Sequence, residues 1–180
     1  MSRIELLNRD SAHGEARQLL EQVQAAFGAT PNMFRAVANS PAALASMWGA
    51  FGALGAGTLG SKLGEQIAVA IADQNACEYC LAAHTALGRK AGVSAADMAA
   101  AQSGQSDDPR TAAALAFALK VVKQRAAIGA GDVDALRAAG FSDGDAMEIM
   151  AHVALNLFTN YVNVAFAVPV DFPKVKLSST

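Results

Sequence analysis

The sequence has little of what β-sheets, membrane spans or nucleic-acid-binding surfaces require. The alternation of β-branched and polar residues that is typical of strands is nearly absent, and the N-terminus has no apolar signal core. The longest weakly polar run, residues 48–60, is mostly alanine and glycine and is too short to span a bilayer. A net charge of -2 without a long basic run argues against binding to nucleic acid or to an acidic membrane. We therefore expect a cytoplasmic protein with no nucleic-acid or membrane partner.

Cysteine is also scarce, with only two among 180 residues. They are Cys77 and Cys80, three positions apart, and His84 follows the second by four positions. A reducing cytosol keeps such a pair as thiols, which favours a catalytic, redox-sensing or metal-binding role over a structural disulfide. Positions i, i+3 and i+7 of a helix share a face, so the three side chains would lie along one side of a helix.

Apolar residues, by contrast, are abundant. Hydrophobic residues make up 53% of the chain and charged residues 17%, which is more apolar and less charged than an average soluble domain. Such a surplus is typical of chains with apolar interfaces between subunits, so we predict a homo-oligomer. A chain of 180 residues suits one domain with a sizeable core, and we expect a single domain over residues 1–180.

Alanine-rich segments with a 3.6-residue periodicity dominate the chain and predict an all-α fold. Thr30 and Ser40, each followed by proline, and Ser61 carry the signals of helix N-caps. The predicted helices cover about residues 11–27, 31–38, 41–54, 61–74, 77–91, 94–102, 108–127, 133–139 and 142–167.

Glu65 is an acidic residue among apolar neighbours in the predicted helix 61–74, outside the narrow polar strip of that helix. A carboxylate in such surroundings is expected to be protonated or to have a partner. Glu65 precedes the break at residues 75–76 by ten residues, about 15 Å of helix, and His84 follows it by about 12 Å. Two antiparallel helices hinged at that break would therefore bring Glu65 and His84 to a similar height, where they can contact each other.

The two thiols, the histidine and the glutamate favour a redox dithiol site. His84 lies one turn after Cys80, close enough to take its proton, and Glu65 would orient the imidazole. The break at residues 75–76 puts Cys77 at a helix N-terminus, where the dipole stabilises a thiolate, and this favours Cys77 as the more acidic thiol. Cβ atoms at i and i+3 are about 5–6 Å apart, so a modest tightening of the first turn would allow a disulfide.

Two other interpretations of these residues remain open. The cysteines could be buried as small apolar side chains, although that leaves His84 unexplained. Cys77, Cys80, His84 and Glu65 could instead bind zinc, although three ligands on one straight helix do not converge easily on a tetrahedral ion.

The last predicted helix carries a polar stripe on an otherwise apolar surface. Its members fall within a sector of roughly 120°. This stripe could line the active site or a subunit interface, or it could be an ordinary solvent-facing surface. The stripe consists of Glu148, His152, Asn156, Thr159, Asn160 and Asn163.

The pattern Glu65-x11-Cys77-x-Tyr79-Cys80-x3-His84 on an alanine-rich, all-α chain resembles the alkyl hydroperoxidase D and carboxymuconolactone decarboxylase superfamily. The chain is most similar to the peroxidase-related members, and residues 31–35, 40–41 and 171–173 extend the resemblance over most of its length. The resemblance implies an AhpD-like helical domain, a helix-hairpin bundle with the CxxC motif at the N-terminus of a central helix. It also implies assembly into a trimer or a hexamer.

The same resemblance implies a role for each site residue. Cys80 would be the peroxidatic cysteine, Cys77 the resolving cysteine, His84 the base and Glu65 the residue that orients it. Some members have a second histidine just before the second cysteine, where this chain has Tyr79.

The implied function is a thiol-dependent peroxidase that reduces hydroperoxides without a metal or an organic cofactor. An external dithiol or a disulfide-reductase partner would reset the oxidised site. The alternatives are a protein disulfide reductase or redox-sensing adaptor, and a decarboxylase-type enzyme on the same scaffold.

Overall fold

The computed structural model describes residues 1–178, and over that range its regular secondary structure is entirely α-helical, which confirms the all-α prediction. The predicted domain range of 1–180 ends two residues outside the described part. The helices of the described residues are α1 Gly14–Phe27, α2 Asn32–Val37, α3 Pro41–Gly55, α4 Gly60–Gln74, α5 Glu78–Lys90, α6 Ala95–Gln102, α7 Pro109–Lys123, α8 Ala130–Ala138 and α9 Asp143–Ala165.

Helix α4 lies at the centre of the fold and packs against α5, α6, α7 and α9. Residues 66–72 of this helix are all buried, which is typical of a helix that is covered on nearly every side. The polar strip predicted for α4 consists of Lys62, Gln66 and Asp73, and it is interrupted because Gln66 is buried with the apolar residues. The central position of α4 means that Glu65, one residue before this buried segment, lies at the edge of the core.

The starts of α3 and α9 are capped by nearby side chains, and the first of these caps, at Ser40, is a predicted cap. The Ser40 hydroxyl accepts a hydrogen bond from the Ala43 N–H at the start of α3. At the start of α9, Ser142 and Asp145 form a capping box in which each side chain accepts the backbone N–H of the other. These ends are therefore satisfied by residues that are close in sequence.

Two predicted caps are wrong. Thr30 does not cap α2, because its hydroxyl donates to Gln24 Oε1 and Pro31 occupies the N-cap position. Ser61 does not cap α4, which already begins at Gly60.

The carboxylate of Glu148, on α9, provides hydrogen-bond acceptors at the start of α4. It accepts the N–H groups of Thr58 at 2.9 Å and Leu59 at 3.1 Å. The backbone N–H groups just before α4 are therefore satisfied by a residue that is distant in sequence, although the sequence predicted a local cap at Ser61.

Helices α1, α7, α8 and α9 differ from their predicted bounds by a few residues. Helix α7 ends at Lys123, before the predicted residue 127, because Arg125 and Ala126 have φ values of 51° and 63°. Ala167 has a φ of 50°, and α9 ends before it at Ala165. Helix α1 begins at Gly14 instead of residue 11, and α8 begins at Ala130 instead of residue 133.

The turn between α4 and α5 is the element that positions the two cysteines. Helix α4 ends in a Schellman motif, in which the Cys77 N–H donates to the Ala72 carbonyl and the Ala76 N–H to the Asp73 carbonyl. Ala76 has a φ of 51°, a left-handed conformation that is uncommon for alanine. The break predicted at residues 75–76 is thus confirmed, and Cys77 becomes the N-cap of α5.

Helix α9 has 23 residues and is the longest helix of the described part. It packs its polar stripe toward α4 and α5 and leaves large apolar side chains exposed on its outer face. Across residues 1–178, no helix has both the length and the hydropathy that a membrane span needs.

Candidate active site

Cys77 and Cys80 lie at the start of α5, and both are free thiols in the interior. Cys77 has 1% of its surface exposed and Cys80 has 2%. The Cys77 sulfur accepts the backbone N–H of Cys80 at 3.3 Å, so it serves as the N-cap acceptor of the helix. The two side chains therefore lie against each other before any bond forms between them.

Glu65 on α4 and His84 on α5 form the contact that residue counting predicted. The distance from His84 Nδ1 to Glu65 Oε2 is 2.8 Å. Burial lowers the pKa of His84, but the charge and hydrogen bond of Glu65 and the charge of Cys80 outweigh it, and the pKa is raised. With its Nδ1–H donating to the carboxylate, the neutral imidazole keeps Nε2 as its proton acceptor.

Cys80 has the more acidic thiol of the pair. The pKa of Cys80 is lowered from 9.0 to about 6, and the hydrogen bond from the Cys77 thiol is the largest cause. The charge of His84 and the side-chain amides of Asn163 and Asn160 contribute to the same shift, against the opposing effect of burial. Asn163 Nδ2 donates to Cys80 Sγ at 3.1 Å.

The expectation that the helix dipole makes Cys77 the more acidic thiol is wrong. The hydrogen bond of the Cys77 thiol with Cys80, together with burial, raises the pKa of Cys77. The cysteine nearest the helix N-terminus therefore keeps its proton and uses it to stabilise the thiolate of its neighbour.

The polar stripe of α9 faces the interior, so its interpretation as a solvent-facing surface is wrong. Asn156, Thr159, Asn160 and Asn163 are all buried. Of these four, Asn163 contacts the thiol directly, and Asn160 accepts a hydrogen bond from the Asn75 amide at 2.9 Å. The stripe therefore connects the turn before Cys77 with the sulfur of Cys80.

Three amide atoms of this stripe are buried without a hydrogen-bond partner among residues 1–178. They are Asn156 Oδ1, Asn160 Nδ2 and Asn163 Oδ1. Asn160 is near enough for its amide to lower the pKa of Cys80, although its Nδ2 makes no hydrogen bond of normal geometry within the described chain. Each buried, unpaired group costs about 1–3 kcal/mol, so this cluster is not what packing alone would select.

Cys80 and His84 open onto a cavity of about 40 Å³ with mostly apolar walls. Tyr79 belongs to one wall, where its hydroxyl accepts the Met33 N–H at 3.1 Å and its ring meets Phe172 edge to face. Burial raises the pKa of Tyr79, so its phenol stays neutral. The remaining lining residues are Phe27, Pro31, Phe34, Phe51, Ala83 and Leu87.

The zinc interpretation finds no support in the described part of the chain. Across residues 1–178, no group of three or more histidine, cysteine, aspartate or glutamate side chains is arranged to hold a metal ion. Glu65 directs its Oε2 to His84, and the Cys77 sulfur lies against the Cys80 amide. The four proposed ligands are thus engaged with one another.

Comparison with known proteins shows which family and which solved structures this chain is similar to. The model of the carboxymuconolactone decarboxylase family matches residues 38–124. A crystal structure of an uncharacterized peroxidase-related protein from Ralstonia eutropha JMP134, described as an alkylhydroperoxidase AhpD core, is 29% identical. The alignment covers 94% of this chain and 92% of that chain with a TM-score of 0.86. The family match over residues 38–124 and the structural likeness over nearly the whole chain support the AhpD-like carboxymuconolactone decarboxylase superfamily.

Two further structures share this AhpD-like fold. An uncharacterized peroxidase-related protein from Silicibacter sp. TM1040 is 28% identical, with a TM-score of 0.82 over 93% of this chain and 91% of that chain. The debrominase Bmp8, solved with 2,3,4-tribromopyrrole, is 22% identical, with a TM-score of 0.80 over 95% of this chain and 92% of that chain. At that identity the likeness to Bmp8 shows the fold alone. A search of curated proteins finds no match.

The AhpD-like fold and the family match support a peroxidase-related or decarboxylase-type enzyme. The four residues predicted from sequence, Glu65, Cys77, Cys80 and His84, lie together at the α4–α5 hairpin. Sequence reasoning missed the contact of Asn163 with Cys80. The polar stripe of α9 was the signal for it, but the sequence left the direction of that stripe open.

Proposed function

We propose that this AhpD-like protein is a thiol-dependent peroxidase that reduces hydroperoxides with the Cys77–Cys80 dithiol. The observation that carries the proposal is the environment of the Cys80 sulfur. It is held by Asn163 at 3.1 Å and has a pKa lowered to about 6, while His84, paired with Glu65, supplies a nearby cationic acid. A thiol with this pKa is mostly thiolate at neutral pH, and thiolate is the form that attacks peroxides.

In the first step, His84 holds the proton of the Cys80 thiol, and the thiolate attacks one oxygen of the hydroperoxide. The O–O bond breaks as the S–O bond forms, so Cys80 becomes a sulfenic acid and the other oxygen leaves as an alkoxide. His84 returns its proton to that alkoxide, giving the alcohol. Glu65 keeps the imidazole oriented, and Asn163 stabilises the negative sulfur.

In the second step, Cys77 attacks the sulfenic sulfur of Cys80. The S–S bond forms, and the hydroxyl group leaves as water with the proton from Cys77. An external dithiol then reduces the disulfide by exchange, which restores both thiols. The cycle needs no metal or organic cofactor.

The walls of the cavity at Cys80 support an organic hydroperoxide with a small apolar group, because about 40 Å³ leaves little room beyond the peroxide itself. Phe34, Phe51 and Phe172 are among the residues that surround the opening to the sulfur, and they favour an apolar group beside the peroxide. A homo-oligomer, a trimer or a hexamer by resemblance, belongs to the same proposal. The exposed apolar side chains of α9, such as Phe158 and Tyr161, support it.

The alternatives have less support from the site. A protein disulfide reductase or redox adaptor must bring another protein's disulfide to its thiols, and Cys77 and Cys80 are almost completely buried. A decarboxylase-type reaction makes no use of a redox pair. A second candidate is reductive removal of halogen from an aromatic compound, which the aromatic lining of the same cavity favours. That reaction consumes two thiols, replaces the halogen by hydrogen and releases halide with the disulfide.

The test is a single-turnover reaction of the reduced protein with tert-butyl hydroperoxide. We expect one alcohol per dithiol and the loss of both free thiols. Cys80→Ser should lose this reaction, whereas Cys77→Ser should complete the first step and accumulate a sulfenic acid that dimedone traps. Unchanged peroxide consumption by Cys80→Ser would refute the mechanism. Bromide release from a brominated aromatic compound, without peroxide consumption, would instead establish the second candidate.

A further inference from the structure

The two thiols border different cavities. Cys80 lines the aromatic cavity described above, and Cys77 does not. Cys77 lines a second, more open groove of about 370 Å³, and Cys80 does not. This groove lies between the start of α5 and the end of α9 with the segment that follows it, and its other lining residues include Ala76, Glu78, Val164, Val168 and Val170.

We propose that the groove at Cys77 is the access site for a small-molecule thiol that reduces the Cys77–Cys80 disulfide, on a path separate from that of the oxidising substrate. The proposal rests on the proposed function in one respect, which is the identity of the oxidising substrate. The path of the reductant depends only on the dithiol and on the two cavities.

The position of the groove determines which sulfur the incoming thiol attacks. A thiolate in the groove reaches Cys77 and expels Cys80 as the leaving group. Exchange is faster when the leaving thiol is the more acidic one. Cys80 has the lower pKa and the hydrogen bond from Asn163, so it is the better leaving group of the pair. Access and leaving-group chemistry therefore select the same direction of attack.

The exchange balances in two steps. In the first, the thiolate of the reductant forms a bond to Cys77 Sγ as the disulfide breaks, and Cys80 leaves as a thiolate. In the second, another thiol of the reductant attacks the mixed disulfide, releases Cys77 and becomes oxidised itself. Cys77 takes up the proton that the second thiol gives up, and His84 is the nearby acid that pairs with the Cys80 thiolate.

The burial of Cys77 favours a small molecule over a protein as the reductant. A protein reductant presents its cysteine on a broad surface and needs an exposed sulfur to meet it. Cys77 has only 1% of its surface exposed. The groove, in contrast, has the volume of a typical small-molecule site, roughly 300–1,000 Å³. A thiol on a slender chain can enter that groove and approach Cys77, which the broad surface of a protein cannot do.

The test starts from protein in which diamide has formed the Cys77–Cys80 disulfide, so it does not depend on any peroxidase activity. The rate of reduction by dithiothreitol is followed through the free thiols that appear. Val164→Trp places a large ring at the rim of the groove, and since Val164 is about half exposed, the fold should tolerate it. Met147→Trp is the matched control, because Met147 is exposed on the same helix and lines neither cavity.

We expect Val164→Trp to slow reduction by about tenfold or more, because obstruction of the approach displaces the reacting sulfurs from each other. Met147→Trp should match the unmodified protein. If Val164→Trp does not fold, Val164→Glu provides the same comparison, since its carboxylate repels the incoming thiolate.

Three results would overturn the proposal. They are an unchanged rate with the folded groove variant, faster reduction by thioredoxin than by dithiothreitol at equal concentration, and failure of diamide to join the two cysteines. If the protein does not react with hydroperoxides but Val164→Trp slows the reduction of the disulfide as expected, the access site stands and only the proposed peroxidase function is refuted.

Discussion

Replacing Asn163 by alanine should raise the pKa of the Cys80 thiol by about one unit. The Asn163 amide donates to Cys80 Sγ at 3.1 Å, and hydrogen bonds to charged groups contribute about 1.5–3 kcal/mol. At 1.36 kcal/mol per unit, this corresponds to about one to two pKa units, and sulfur is a weak acceptor, which favours the lower value. Starting from about 6, the pKa of the variant would be close to 7.

The assay is the ultraviolet absorbance of the thiolate in the reduced protein as a function of pH. Cys77 does not interfere, because its pKa is raised and only Cys80 titrates in the acidic and neutral range. At about pH 6.5, the thiolate fraction should fall from about three quarters in the unmodified protein to about one quarter in Asn163→Ala. The peroxide reaction should slow in the same proportion at that pH.

Asn156→Ala is the matched control for this prediction. Asn156 is a buried asparagine on the same helix, but its amide donates to the His152 carbonyl instead of to sulfur. Its replacement should leave the pKa of Cys80 unchanged. The reasoning fails if Asn163→Ala leaves this pKa at about 6, or if Asn156→Ala raises it by as much.

Three other variants test the rest of the site and its support. Glu65→Gln removes the charge that raises the pKa of His84, so that pKa should fall, that of Cys80 should rise, and the single-turnover rate at neutral pH should drop by about tenfold to a hundredfold. Cys77→Ser should abolish repeated turnover while the first turnover persists, and mass spectrometry should find one added oxygen on Cys80. Glu148→Ala removes the acceptor of two amides before α4, which water can partly replace because Thr58 is exposed, so the free energy of unfolding should fall by about 0.5–1.5 kcal/mol in urea titrations.

The core of the site could be predicted from sequence because it depends on local geometry. Glu65 and His84 lie on two helices joined by a short turn, and the rise per residue alone puts them at the same height. The contact at 2.8 Å agrees with that count. The position of Cys77 at a helix N-terminus followed in the same way from the break at residues 75–76.

The contacts made by α9 could not be predicted, because they depend on how distant helices pack. Asn163 follows Cys80 by 83 residues, and Glu148 is about 90 residues from the amides that it accepts. The periodicity of α9 shows that these side chains share a sector, but it cannot tell an inward sector from an outward one. The prediction that Cys77 is the more acidic thiol was wrong for a related reason, since the dipole argument omitted the hydrogen bond between the two thiols.

The role of the Cys77 sulfur as the N-cap of α5 connects the oxidation state of the protein to its backbone. In the reduced form, this sulfur accepts the Cys80 N–H at 3.3 Å. A bond from this sulfur to Cys80 Sγ requires the two Cβ atoms to approach to about 3.5–4.5 Å, so oxidation must alter the geometry of this helix cap, whose contribution is about 0.5–2 kcal/mol. The first turn of α5 should therefore differ in conformation between the reduced and the oxidised protein, and its amides should exchange with deuterium faster in the oxidised protein.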